Sequence, residues 1–135
     1  QMFDEKDPQA CYEILSSNPS ALLVDCRAQI EWEFVGTPDL GAIGKKALLV
    51  EWTNSAHQRN PDFLDTIKSF ATPETPIIIM CRIDGRSAAA CQMLAENGFT
   101  NLTNMSEGYE GRIDAHGHRN SFEGWRARNL PWTQS

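Results

Sequence analysis

Two short apolar runs constrain this chain most. Ala21-Leu22-Leu23-Val24-Asp25 and Pro76-Ile77-Ile78-Ile79-Met80-Cys81 are nearly continuous in apolar residues. Neither alternates polar with apolar, so neither suits a sheet with one face in water. Runs this short and this apolar suit strands covered on both faces. Each is followed by a helical pattern. Strands alternating with helices predict an α/β domain with a mainly parallel central sheet and helices on both sides.

The remaining elements fit that plan. Asp7-Pro8 is an N-cap followed by proline at the first helical position, opening a helix to about Ser17 with Ala10, Ile14 and Cys11 inward. Ala28–Phe34 reads as a short helix and Ala47–Trp52 as a strand. Asn60-Pro61-Asp62 repeats the cap signal before a stripe of Phe63, Ile67 and Phe70 expected in the core. Ser87–Asn97 predicts an alanine-rich helix closed by Gly98, and Asn101–Met105 a last strand. A short helix is expected near Phe122–Arg128, with Leu130-Pro131-Trp132 folding the tail back; Trp32, Trp125 and Trp132 are expected to pack. Residues 1–135 are taken as one domain, with its core at about 7–111 and a packed tail at 112–135.

Charge and cysteine content narrow the function. The formal net charge is −6, and all of it arises before Cys81: residues 1–80 hold 12 acids and 6 bases, residues 81–135 hold 6 of each. The later bases are all arginines, which suit small oxyanions. An acidic total argues against nucleic acid, and no apolar run approaches a membrane span. The start Gln1–Asp7 is polar and acidic, unlike a signal peptide. Four cysteines (Cys11, Cys26, Cys81 and Cys91) without a Cys-x-x-Cys pair predict free thiols in a reducing, cytoplasmic setting.

One of those cysteines stands apart. Cys81 ends the isoleucine strand and begins Cys81-Arg82-Ile83-Asp84-Gly85-Arg86-Ser87, which leads into a helix. Ligands of parallel sheets bind beyond the strands' carboxyl ends. There a helix N-terminus and Arg82 and Arg86 stabilise a thiolate. Gly85 lets successive N–H groups converge on an anion. Asp84 is the discordant residue, since a carboxylate repels an anionic substrate; pairing with Arg82 is one way to accommodate it. Ile83 adds an apolar wall.

These residues resemble the active-site loop of rhodanese-like domains: cysteine, four residues, arginine, then serine or threonine. Asp25-Cys26-Arg27 with Glu31-Trp32 is similar to the family's Asp-x-Arg-x-x-x-Glu-Trp signature. Glu107-Gly108-Tyr109 stands where the family usually has a Gly-Gly pair and an aromatic. Gly36–Lys46 departs from the family pattern. The resemblance implies a three-layer α/β/α fold with about five strands. It implies sulfur transfer through a Cys81 persulfide from a donor such as thiosulfate to cyanide or a thiol, including a protein thiol, with no cofactor or metal. Arg82, Ile83, Asp84, Gly85, Arg86 and Ser87 would form the substrate cradle, with both arginines on the sulfonate oxygens. Asp25, Arg27 and Glu31 would be structural. By their positions, at a strand end and in the last rim loop, Trp52 and Tyr109 are candidate pocket walls, with core packing the competing reading for Trp52.

Alternatives are a non-catalytic persulfide carrier, or an anion-binding or sensor module of the same fold. A phosphatase or arsenate reductase is disfavoured, because such loops place five residues between cysteine and arginine and this one places four. Cys26 is the residue that could resolve an oxidised Cys81. Cys11 and Cys91 are expected to pack. His116-Gly117-His118 and His57 read as solvated loop, since two histidines without further ligands make no metal site.

Overall fold

The computed structural model describes residues 2–134, so Gln1 and Ser135, the outermost positions of the assigned domain, lie outside the described residues. In chain order the elements are β1 (Asp4–Lys6), α1 (Pro8–Ser17), β2 (Leu22–Asp25), α2 (Gln29–Val35), β3 (Thr37–Pro38), β4 (Leu48–Leu49), α3 (Phe63–Phe70), β5 (Ile77–Met80), α4 (Gly85–Glu96), β6 (Leu102–Met105) and β7 (Trp132–Thr133). A single 3-10 turn, Gly41–Ile43, lies between β3 and β4.

The main sheet has the order β1-β6-β5-β2-β4, and every neighbouring pair is parallel. Beta5 is central and wholly buried, as three isoleucines in succession require. Successive side chains of a strand face opposite ways. Ile77 and Ile79 accordingly enter a core shared with Phe63, Ile67 and Leu94, while Ile78 and Met80 enter a second with Leu15, Tyr109 and Trp125. The α/β architecture is thus present with two hydrophobic layers, one on each face of the sheet.

Helix starts follow the local chemistry. Asp7 Oδ1 accepts from the Ala10 N–H at 2.8 Å, with Pro8 at the first helical position. The buried face of α1 is Cys11 and Leu15, whereas Ala10 and Ile14 are only half-buried: the helix is rotated by about one residue from its expected face. Helix α3 begins later than its sequence signal. Asn60 Oδ1 caps the turn before it, accepting from Asp62 N at 3.0 Å. Phe63 and Ile67 are buried, but Phe70 is 56% exposed and leaves the core stripe.

Other differences lie at the margins. Beta1 is a strand despite its acidic sequence, because an edge strand carries charged side chains without cost. Beta4 keeps only two of the six residues expected to pair. The segment expected to be helical near Phe122–Arg128 is a series of turns, held by Trp125 N on Gly108 O at 2.8 Å and Leu130 N on Trp125 O at 3.2 Å. The tail does return: β7 pairs antiparallel with β3, and Trp125 and Leu130 are buried. Trp132 stays 38% exposed beneath Arg126, 3.9 Å from its ring centre.

Candidate active site

The β2–β5 register pairs Asp25 with Met80. The next residues, Cys26 and Cys81, therefore end neighbouring strands on one edge of the sheet, and Cys26 N donates to Met80 O at 2.9 Å. Both are buried and all four cysteines are free thiols. Cys81 is followed by three loop residues and then by α4, whose first turn is Gly85-Arg86-Ser87. Ser87 Oγ lies 3.2 Å from Cys81 Sγ and 3.2 Å from Asp84 O. One hydroxyl proton thus has two acceptors in reach, and it turns to the sulfur when that sulfur is an anion. No backbone carbonyl among the described residues accepts from the N–H groups of Arg82 through Ser87. Those donors lie in the loop and first turn at a helix N-terminus, where backbone N–H groups suit an anion.

The segment just after β6 holds this loop. Tyr109 N donates to Cys81 O at 2.9 Å, and Glu110 N and Gly111 N donate to Arg82 O at 3.1 and 3.2 Å. Gly108 has φ +66°, and a Cβ there would lie 2.6 Å from the Arg82 carbonyl carbon and oxygen. Glycine is therefore required by the close approach and by the backbone angle together. Glu107, at φ +70°, stands where rhodanese-like domains usually carry another glycine. Its carboxylate accepts from Arg128 at 2.8 and 2.6 Å and from Gly124 N at 2.9 Å, which offsets the cost of that conformation. Asn104 of β6 also reaches the loop, donating to Glu5 at 3.1 Å and Asp84 O at 3.4 Å. No sequence signal announced these contacts of Glu107, Arg128 and Asn104, because their partners lie far away in the chain.

The loop arginines are not free. Arg86 Nη1 and Nη2 donate to the two Glu31 oxygens at 2.6 and 3.0 Å. Burial alone would raise the Glu31 pKa, but the hydrogen bonds from Arg86 and Ala28 N together with the charges of Arg86 and Arg27 outweigh it and hold the carboxyl below its ordinary value. Glu31 Oε1 also accepts from Ala28 N at 3.0 Å, tying the loop to the start of α2. Arg82 Nε lies 3.4 Å from Glu110, not against Asp84. Asp84 is the N-cap residue of α4 without a side-chain cap bond. A negative charge there faces the positive end of the helix dipole, which gives this acid a favourable place after all.

Asp25 and Arg27 form a wholly buried pair, Nε to Oδ1 at 2.9 Å and Nη2 to Oδ2 at 2.7 Å. Arg27 Nη2 also donates to Gly36 O at 2.7 Å, and its guanidinium lies 4.1 Å from the Tyr109 ring centre. Burial would lower the Arg27 pKa, and Asp25 more than compensates. Burial pushes the Cys26 thiol well up, with Cys81 and Asp25 adding to the effect, and lifts Cys11 and Cys91 to about 12.

A cleft of about 340 Å³ opens over the loop. Its lining comes from three segments: Ala28, Ile30 and Glu31 at the start of α2, Thr53, Asn54, Ser55 and His57 in the loop after β4, and Arg82 and Arg86 of the Cys81 loop. The expected walls are corrected: Trp52 and Tyr109 are core residues. Trp52 packs edge-on against Phe63 at 5.2 Å, and Tyr109 lies under Arg27. The Thr53–His57 wall was missed because nothing in a polar loop announces which way it folds. Among the described residues no group of three or more His, Cys, Asp or Glu could hold a metal, and His116 and His118 are exposed.

The model of the STR4 middle domain family matches residues 3–135. This chain is a rhodanese-like domain. The crystal structure of Rv0390 from M. tuberculosis superposes on the rhodanese-like chain with a TM-score of 0.92, at 40% identity over 100% of both chains. The uncharacterized protein RC0915 of Rickettsia conorii is 36% identical over 90% of this chain and 89% of its own. Rhodanese-like domain-containing protein 4, chloroplastic, of Arabidopsis thaliana is 30% identical over 91% of this domain, which spans 24% of that protein. No helix among the described residues of the rhodanese-like domain is long and apolar enough to cross a membrane.

Proposed function

We propose that this rhodanese-like domain is a sulfurtransferase that carries sulfur as a Cys81 persulfide. The observation that carries the reading is the Cys81 sulfur 3.2 Å from the Ser87 hydroxyl in the first turn of α4, at the head of a loop whose N–H groups have no backbone acceptor. In the first half-reaction the Cys81 thiolate attacks the outer sulfur of a donor such as thiosulfate. The donor S–S bond breaks, sulfite leaves with the electron pair, and the new sulfur stays on Cys81. In the second, a nucleophilic acceptor, cyanide or a thiol on a small molecule or protein, takes that sulfur and returns the Cys81 thiolate. Splitting the transfer this way replaces one difficult step by two easier ones. The loop donors stabilise the anionic sulfur in both. Four free thiols support a reducing, cytoplasmic setting.

The test is intact-mass measurement after incubation with thiosulfate and with other sulfane-sulfur donors. One added sulfur per chain is expected, and none on Cys81→Ser. An unmodified wild-type mass with every donor would overturn the proposal.

A further inference from the structure

The cleft is also lined by a loop after β4 that the sulfur-loading step does not use. It leaves the core at Trp52, whose N–H donates to Cys26 O at 3.1 Å. Thr53 and Arg59 form an isolated antiparallel bridge, and the Arg59 guanidinium stacks 3.4 Å from the Trp52 ring centre. Between them Asn54 organises the turn: its Oδ1 accepts from Ala56 N and Gln58 N at 2.9 and 3.0 Å. His57 N donates to Asn54 O at 3.0 Å, and His57 adopts φ +61°. Histidine pays for this left-handed conformation, and the turn's hydrogen bonds hold it there. The result places His57, an exposed residue, among those that line the cleft with Glu31, Arg82 and Arg86.

The charged groups lining the same cleft are Glu31, Arg82 and Arg86. Both arginines already have carboxylate partners, Glu110 and Glu31. Both guanidinium charges therefore sit beside a carboxylate of the protein. Its other lining groups, Ala28, Ile30, Thr53, Asn54 and Ser55, are uncharged. An uncharged thiol suits such walls, but a thiol attacks only as thiolate and must lose its proton. Glu31 cannot serve, because Arg86 occupies both its oxygens. Imidazole is the side chain suited to proton transfer near neutral pH.

From these placements we infer that the acceptor is a thiol and that His57 takes its proton during the second half-reaction. The inference rests on the persulfide reading above. In the step, the proton of R–SH moves to His57, the R–S⁻ sulfur bonds to the outer sulfur of the Cys81 persulfide, and the bond from that sulfur to Cys81 Sγ breaks. The products are R–S–S⁻ and the Cys81 thiolate, with the proton released from His57 to water. No oxidant or reductant is consumed.

The experiment separates the two half-reactions. Wild type, His57→Asn and His57→Gln are loaded with sulfur. Discharge is then timed by intact mass after mixing with 2-mercaptoethanol or with sulfite, an acceptor that is already an anion. Asparagine tolerates the left-handed backbone, so His57→Asn guards against a loop that merely misfolds. Discharge to 2-mercaptoethanol should fall about a hundredfold in both variants, the ordinary worth of a positioned base, with partial recovery on adding imidazole. Discharge to sulfite should stay within about twofold of wild type. Equal losses with both acceptors, or no loss with either, would overturn the role of His57. Failure of the wild type to load from any donor is a separate result, read first, and would overturn the persulfide reading on which this one rests.

Discussion

The same dipeptide, Cys-Arg, ends two neighbouring strands of this molecule, and the two copies have opposite fates. At the end of β2, Cys26 is sealed in the core and Arg27 folds back onto Asp25, both side chains fully buried. At the end of β5, Cys81 is followed by an arginine that is nearly half exposed and by a helix that starts four residues on. An acid just before the cysteine turns the first arginine inward. A helix N-terminus just after the cysteine gives the second sulfur the surroundings that the proposed persulfide chemistry uses. A residue pair therefore has no chemistry of its own; the backbone that follows it decides.

Breaking each end should have different consequences. The largest effect on stability is expected at β2: Asp25→Ala leaves a buried guanidinium without its partner and should cost about 3–5 kcal/mol in chemical denaturation. A cost near zero would mean that the buried pair is not what holds this strand end. Next comes Gly108→Ala, which drives a methyl group into the Arg82 carbonyl. It should lower stability by about 1–3 kcal/mol and slow sulfur loading, although residue 108 is itself no part of the loop. Unaltered loading would show that the tail does not set the loop's shape.

Cys26→Ser should leave the added-sulfur mass intact, whereas Cys81→Ser should remove it. Loss of loading in both would collapse the distinction between the two strand ends. The smallest effect is a pH dependence. The folded Glu31 pKa is depressed by Arg86, so its stabilisation is complete above the ordinary glutamate value. It is lost as pH falls below that value and through the lower folded one. Glu31→Gln should therefore flatten the acid limb of a melting-temperature profile, and an unchanged limb would place the linkage on other carboxylates.

Much of the site was legible because it is local. Cysteine, glycine, arginine and serine lie within seven residues at the end of the most apolar strand, and chain connectivity alone brings them together. The Asp25–Arg27 contact spans two residues and was legible for the same reason. The Glu31–Arg86 pair crosses 55 residues, and no local pattern announces that this arginine also holds a carboxylate of another element. Trp52 and Tyr109 were assigned to the pocket wall on position along the chain, but large rings at a strand end pack inward when the layer beneath them has room. Beta1 escaped notice since edge strands need no apolar pattern, and the turns near Phe122–Arg128 have no periodicity to read.

By itself, then, the sequence determined a parallel α/β sheet and singled out one sulfur, because buried strands and loop chemistry are written in contiguous residues. Only the tertiary structure decided which carboxylates claim the arginines, that Gly108 and the tail support the loop, and that His57 faces the cleft. Those outcomes depend on contacts between segments tens of residues apart, and such contacts exist only after the sheet has set its register.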